Sequence, residues 1–223
     1  MLATAAMRRA CTRTLCASPR VMRPTSQPTL SFDPSAKTAM DKQEPPAPGA
    51  DFRVVIVGAG NINFGSDEGP WNHSFRLEHK LGPRLKVVAL IDPDAERARR
   101  VLKTKCQSFV LSAYKDTVVY PTFKDYMASV CAETYPHAVW VGSPPAFRGG
   151  TEPGRNLEQL LTAGLPNVPL FIEKPVSTGA VDQTFEVAKM LEQNGSLVSV
   201  GYMLRYLKAV SYTHLTLPTS DLV

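Results

Sequence analysis

Between residues 52 and 200 the chain alternates short apolar runs with longer amphipathic stretches. The first run, 52–57 (FRVVIV), is β-branched and stops at Gly58-Ala59-Gly60. After an irregular stretch, residues 73–81 read as a helix with Leu77 and Leu81 on one face. The run 86–91 (KVVALI) predicts a second strand, stopped by Asp92-Pro93, and Asp94 then caps a charged helix through Lys105. A third strand is expected over 118–120, a short helix over 123–130, and a fourth strand over 138–141, broken by Gly142-Ser143-Pro144-Pro145. Residues 156–163 form a helical pattern that turns Leu157, Leu160 and Leu161 inward, with Gly164 as its C-cap. A fifth strand over 170–172 runs into Glu173-Lys174-Pro175. Val181, Phe185, Ala188 and Leu191 mark another amphipathic helix, closed by Asn194-Gly195. The sixth strand, 197–200, leads into Gly201-Tyr202-Met203-Leu204-Arg205.

Strands this uniformly apolar are buried on both faces, and their alternation with helices implies a doubly wound, parallel α/β sheet. In such open sheets ligands bind in the crevice at the carboxyl ends of the strands. The unusual residues all fall there, which nominates Gly58–Gly60, Asp92, Ser143–Pro145, Glu173–Pro175 and the stretch from Gly201 to Arg205.

Composition narrows the picture. Apolar residues make up 43% of the chain and 14 glycines bring the share to about half, which excludes a wholly disordered chain, a collagen-like chain and a disulfide scaffold. No apolar run approaches the roughly 20 residues that span a bilayer. The formal charge is +5, from 25 basic and 20 acidic side chains. Seven of the bases and three of the acids lie in residues 1–50, and one further acid lies in 210–223, so residues 51–209 carry only +2. The basic isoelectric point is therefore a tail effect, and nucleic-acid binding is not expected.

The two ends stand apart. Residues 1–32 hold no Asp, Glu or Lys, but carry Arg8, Arg9, Arg13, Arg20 and Arg23 among Ala, Thr, Ser and Leu. That composition fits a mitochondrial presequence, without the apolar core of a secretory signal, so the matrix or the cytoplasm is expected. It equally fits an extension with no targeting role, or a start codon placed too far upstream. Seven prolines between residues 19 and 49 mark a linker. At the other end, VSYTHLTLPT (210–219) resembles the conceptual translation of a transposon-derived sequencing adaptor, so His214 is given no functional weight. The expected organisation is a leader and Pro-rich linker (1–50), an α/β domain (51–208) and an unstructured or artefactual tail (209–223). Cys11 and Cys16 lie in the leader, and Cys106 and Cys131 in helical-looking segments. With no C-x-x-C pair and no Cys/His cluster, neither a metal site nor a disulfide framework is implied.

Gly58 and Gly60 sit between a strand and the next helical segment, where one glycine permits a tight turn and the other lets backbone approach a pyrophosphate; Asn61 and Ile62 follow in the same turn. The third glycine of that fingerprint is replaced by Asn63, and Asp67 and Glu68 in the following loop would repel a phosphate if they pointed inward, so a reshaped cradle is expected. Asp92, 32 residues after Gly60, can accept hydrogen bonds from an adenosine ribose, or serve as a helix cap. A carboxylate there disfavours a 2′-phosphate and favours NAD(H), while Arg97 and Arg99 leave NADP(H) open. Lys174, directly after a buried strand, puts an ammonium at the crevice edge with Glu173 beside it, unless the two form only a solvated ion pair. Ser143-Pro144-Pro145, alone, would be a loop breaker.

In order, VVIVGAG, ALIDPD, VGSPP, FIEKP and VGYMLRY resemble the glucose–fructose oxidoreductase / inositol dehydrogenase (Gfo/Idh/MocA) family, from about Phe52 to Lys208. The resemblance implies a Rossmann-like NAD(P)-binding domain in which Lys174 hydrogen-bonds the reacting oxygen, Pro175 shapes the turn beside the nicotinamide and Glu173 supports the lysine. Arg205 takes the place of a substrate-side or domain-junction arginine. Two departures stand out. Phe147-Arg148 occupy the neighbourhood of a family histidine, and the second α/β domain, which in the family supplies the substrate pocket and a proton-transferring histidine, is expected to be missing from this chain. His73, His79 and His137 read as structural or exposed.

The expectation is a parent protein that moves hydride between NAD(P) and a sugar, polyol or similar small molecule, with a homo-oligomer of that parent left open, and with this chain at most its cofactor-binding part and inactive alone. A lone cofactor domain is also expected to expose apolar surface and associate. Two other readings stay open: a non-catalytic NAD(P)-binding module, and a methyltransferase using S-adenosylmethionine, against which Glu173-Lys174-Pro175 argues.

Overall fold

The computed structural model describes residues 46–67 and 71–208; the arginine-rich segment, most of the linker, Glu68 and the adaptor-like tail lie outside the described residues. Six parallel strands form one sheet: β1 (Phe52–Val57), β2 (Leu85–Ile91), β3 (Val118–Tyr120), β4 (Ala138–Val141), β5 (Leu170–Ile172) and β6 (Val198–Val200). Their spatial order is β3-β2-β1-β4-β5-β6, so the chain reverses its direction of winding between β1 and β4. That is the doubly wound α/β fold expected from the sequence, and the reversal opens the crevice between the ends of those two strands.

The helices are α1 (Asn61–Phe64), α2 (His73–Leu81), α3 (Ala95–Cys106), α4 (Leu111–Tyr114), α5 (Phe123–Met127), α6 (Leu157–Gly164) and α7 (Val181–Gln193). Alternation along β1 divides the core. Val54 and Ile56 pack with Leu77, Ala98, Leu102 and Tyr114 from α2, α3 and α4. Val55 and Val57 face the opposite layer, with Phe123, Leu161, Val187 and Leu191 from α5, α6 and α7. A bulge in the pairing of β1 with β2 keeps this division intact. Val54 lies opposite Val87 but Val55 opposite Ala89, so Val88 is the extra residue. Beyond it the parity of β2 reverses: Leu85, Val87 and Leu90 all serve the first layer, and Ala89 and Ile91 the second.

Local chemistry sets the helix starts. Asn72, Asp94 and Thr122 each accept a backbone N–H three residues on, from Phe75, Arg97 and Asp125. The helical segment after β1 is split: α1 ends after four residues at Gly65 (φ +89°), and Asn72 joins the pieces by donating to Phe64 O while accepting from Phe75 N.

Several expected faces and limits are corrected. Leu160 is 47% exposed, because the sector of α6 that meets the sheet is centred on Leu161 and the buried Glu158. Gly164 is the last residue of α6 rather than its cap, and it is small because Phe123 lies against it: a Cβ there would be 2.9 Å from the ring. Val181 and Phe185, 70% and 71% exposed, and the exposed Ala188 have helical spacing but point away from the sheet, which α7 meets through Val187 and Leu191. The helix at 123 ends at Met127, and Cys131 lies outside it. β6 begins at Val198, with Leu197 exposed before it.

Candidate functional site

An open crevice of about 370 Å³ lies at the carboxyl edge of the sheet. It is lined by all the residues singled out from the sequence at the ends of β1, β2, β4 and β5 except Ala59 and Pro175: Gly58, Gly60, Asn61, Ile62, Asp92, Ser143, Pro144, Pro145, Glu173 and Lys174. Arg97, Gly142 and Arg148 complete the wall.

The two glycines have different reasons. Gly58 adopts φ +96°, and a Cβ on it would stand 3.0 Å from Ser143 N, so the turn after β1 and the turn after β4 pass too closely for a side chain. Gly60 has an ordinary extended conformation and a Cβ on it would meet nothing within 4 Å. No packing among the described residues calls for its smallness; the free space lies at the crevice that Gly60 lines. The first N–H groups of a helix have no acceptor within it, and Asn61 and Ile62 bring theirs to the same edge.

Asn63 explains how the cradle closes without a third glycine. Fully buried, its Nδ2 donates to Val57 O at 3.2 Å and Gly58 O at 2.7 Å, so the amide occupies the space that a closer helix would fill and ties α1 to the end of β1. Asp67, feared as an inward-pointing acid, is exposed and does not line the crevice.

Asp92 is buried beneath this turn. Its Oδ2 accepts Ala59 N–H at 2.6 Å, and its Oδ1 accepts Asp94 N–H and Arg97 Nη2, each at 2.8 Å. The cap of α3 is Asp94, not Asp92. Three donors use three of about four acceptor positions on the carboxylate and leave one for a ligand hydroxyl. Arg97 lines the crevice and Arg99 does not.

At the end of β5, Glu173 is 5% exposed and accepts Lys174 N–H on Oε2 at 2.8 Å; its support of the lysine runs through the backbone. Its Oε1 lies 2.7 Å from His73 Nε2. The Lys174–Pro175 peptide is cis, and the exposed Lys174 side chain borders the crevice. Gly201 packs on Glu173, where a Cβ would come within 2.9 Å of Oε1. Arg205 belongs to the 3-10 turn Met203–Tyr206, and its side chain lies outside the described residues.

Sequence reasoning gave no site role to three buried titratable side chains, His73, Arg148 and Glu158. His73 is 2% exposed and packs edge-on to Phe171 at 5.0 Å and beside Trp140 at 5.4 Å. Burial pulls its pKa below the ordinary imidazole value, against the opposing pull of the Glu173 carboxylate. Arg148, 1% exposed, straps two turns together: Nε donates to Ser143 O at 3.0 Å and Nη1 to Val176 O at 2.9 Å. Burial lowers its pKa and raises that of Glu158, which accepts Gly149 N–H at 2.7 Å. The one available signal was an arginine set in an apolar turn directly before Gly149-Gly150. Among the described residues no group of three His, Cys, Asp or Glu side chains could hold a metal ion, and no helix is long and apolar enough to cross a membrane.

Two uncharacterised proteins of Schizosaccharomyces pombe are similar to this chain. One is 44% identical over 164 residues, covering 73% of this chain and 43% of its own length; the other is 43% identical over 171 residues, covering 75% and 42%. The chain thus spans less than half the length of the curated relatives it matches. Among solved structures, the WlbA dehydrogenase of Chromobacterium violaceum, in complex with NADH and UDP-GlcNAcA, superposes with a TM-score of 0.52 at 16% identity, over 76% of this chain and 40% of that one. Residues 52–202 match the model of an oxidoreductase family with an NAD-binding Rossmann fold. With two thirds of its length matched, the chain belongs to this family, Gfo/Idh/MocA.

Proposed function

We propose that residues 51–208 form the cofactor-binding part of an NAD(H)-dependent dehydrogenase acting on a CH–OH carbon of a sugar, polyol or related small molecule. The observation that carries this reading is the placement of Lys174 on the same crevice as Gly58, Gly60 and Asp92. The glycine turn receives the pyrophosphate, with Asn61 and Ile62 offering N–H groups and the bare face of Gly60 allowing contact. Asp92 accepts a hydroxyl of the adenosine ribose. The bound nicotinamide would supply hydride chemistry. Lys174 donates a hydrogen bond to the reacting oxygen, favouring the alkoxide-like charge that develops as hydride moves. Ser143, Pro144 and Pro145 wall the crevice beside it, and Pro175 turns the chain away. Arg205 is assigned to the substrate side.

NAD(H) is favoured over NADP(H) because Arg97 is already held by Asp92 Oδ1, and a 2′-phosphate would face that buried carboxylate. For substrate, the sugar nucleotide in the Chromobacterium violaceum complex is one representative of the class proposed. An arginine-rich leader that acts as a presequence would send the protein to the mitochondrial matrix; with no targeting role in that segment the protein would stay cytoplasmic.

The test is fluorescence titration of the chain with NADH, NADPH and S-adenosylmethionine. Saturable NADH binding that Asp92→Ala abolishes supports the reading. Binding of S-adenosylmethionine alone overturns it. NADH binding with no turnover in a protein carrying a complete substrate region would make it a non-catalytic module.

A further inference from the structure

His73 and Glu173 are 100 positions apart, and the fold brings them together with no solvent between them. His73 starts α2 behind the Asn72 cap, and Glu173 leaves the end of β5. On the α2 side of the sheet, Trp140 and Phe171 from neighbouring strands stack at 3.9 Å, and the imidazole lies against both rings. Gly201 closes the remaining side of the carboxylate. A carboxylate so enclosed persists only with hydrogen bonds to both oxygens. One oxygen faces His73 Nε2 at 2.7 Å, and the other takes the backbone N–H of Lys174 at 2.8 Å.

We propose that His73 is a positioning residue for Lys174: it holds Glu173 in the one orientation that fixes the turn carrying the lysine into the crevice. The inference rests on the reading of Lys174 as the group that meets the reacting oxygen, and it goes beyond that reading by making a histidine from another element part of the lysine's support. The ring nitrogens divide the work. Nδ1 is buried without a partner among the described residues, so an imidazolium would bury an N–H with no acceptor. His73 is therefore neutral, with its proton on Nε2 and directed at Glu173. The charged groups facing it are Glu173 and, from its own helix, Arg76.

The experiment uses the full 223-residue chain, labelled for nitrogen NMR, with NADH as the added probe. Wild type should carry the His73 proton on Nε2 at neutral pH. His73→Gln keeps a donor within reach of Glu173 and should leave the Lys174 amide resonance near its wild-type position, with NADH affinity within about threefold. His73→Leu removes the donor, should move that resonance, and should weaken NADH binding at least tenfold. His79→Gln, on the exposed part of α2, should do neither. If His73→Leu does not fold, Glu173→Gln decides. A glutamine that still accepts Lys174 N–H turns its NH₂ toward His73, and the imidazole proton should transfer to Nδ1. An unmoved Lys174 resonance in His73→Leu, or a wild-type His73 protonated on Nδ1, overturns the proposal. Absence of NADH binding by wild type would defeat the cofactor reading instead, while the Lys174 resonance and the tautomer would still decide the role of His73.

Discussion

Asn63 lies over Gly142 so closely that a Cβ on the glycine would stand 2.4 Å from the amide Oδ1. The asparagine cannot retreat without giving up its bonds to Val57 O and Gly58 O. Gly142→Ala should therefore destabilise the domain by about 1–3 kcal/mol through overpacking. Asn63→Gly should cost about 1–3 kcal/mol by removing a donor from buried carbonyls. The double variant should cost less than the sum, since the clash disappears with the amide. Chemical denaturation of the four proteins checks the cycle.

Asp92 and Arg97 make a selectivity prediction. Asp92→Ser releases the Arg97 guanidinium from its shorter ion pair, leaving the contact with Asp94 at 3.9 Å, and preference should shift toward NADPH by at least tenfold, or about 1.4 kcal/mol. Adding Arg97→Ala should remove the gain. Parallel fluorescence titrations with the two nucleotides read the ratio.

The buried imidazole gives a signed pH dependence. Burial depresses the pKa of His73 below its ordinary 6.5, so on acidification the unfolded chain takes up that proton first. The stabilisation is complete above about pH 6.5 and is lost as pH falls through 6.5 toward the depressed native value. His137, whose pKa is also lowered by burial, adds in the same sense, because its Nδ1 accepts Arg53 N–H. Melting temperatures between pH 5 and 7.5 should fall on acidification more steeply in wild type than in His73→Gln. Equal slopes would count against a buried neutral imidazole.

Glu158 has the opposite sign. Burial raises its pKa above the usual carboxylate value, so its contribution declines as pH rises past about 4.5. Glu158→Gln should match or exceed wild-type stability at pH 7, with the amide oxygen still accepting Gly149 N–H. Glu158→Ala strands that N–H and should cost about 1–3 kcal/mol. Thermal melts of the two variants at pH 7 separate them.

The strands were legible because uninterrupted β-branched runs need burial on both faces, and the crevice residues because strand ends in such a sheet collect Gly, Pro and charge. Helix faces were less so. Val181, Phe185 and Ala188 show that helical spacing reveals an apolar stripe without saying which stripe the sheet receives. The crevice was legible along the chain but not across it. Nothing in the local pattern around His73 announces Glu173, and Arg148 looked like a departure from a motif until its donors were seen on Ser143 O and Val176 O. Asn63 was read as a missing glycine, when its amide supplies bonds that a glycine lacks.

The break between α1 and α2 has an electrostatic consequence. An unbroken helix pointing at the crevice would add its peptide dipoles into a partial positive charge at its first turn. Here the aligned stack facing the crevice is four residues long, and Asn72 starts a separate one. A negative charge brought to this crevice would meet individual N–H groups and the side chains of Arg97, Arg148 and Lys174 rather than a summed field. Affinity at this edge should therefore be lost in discrete steps as donors are removed one at a time.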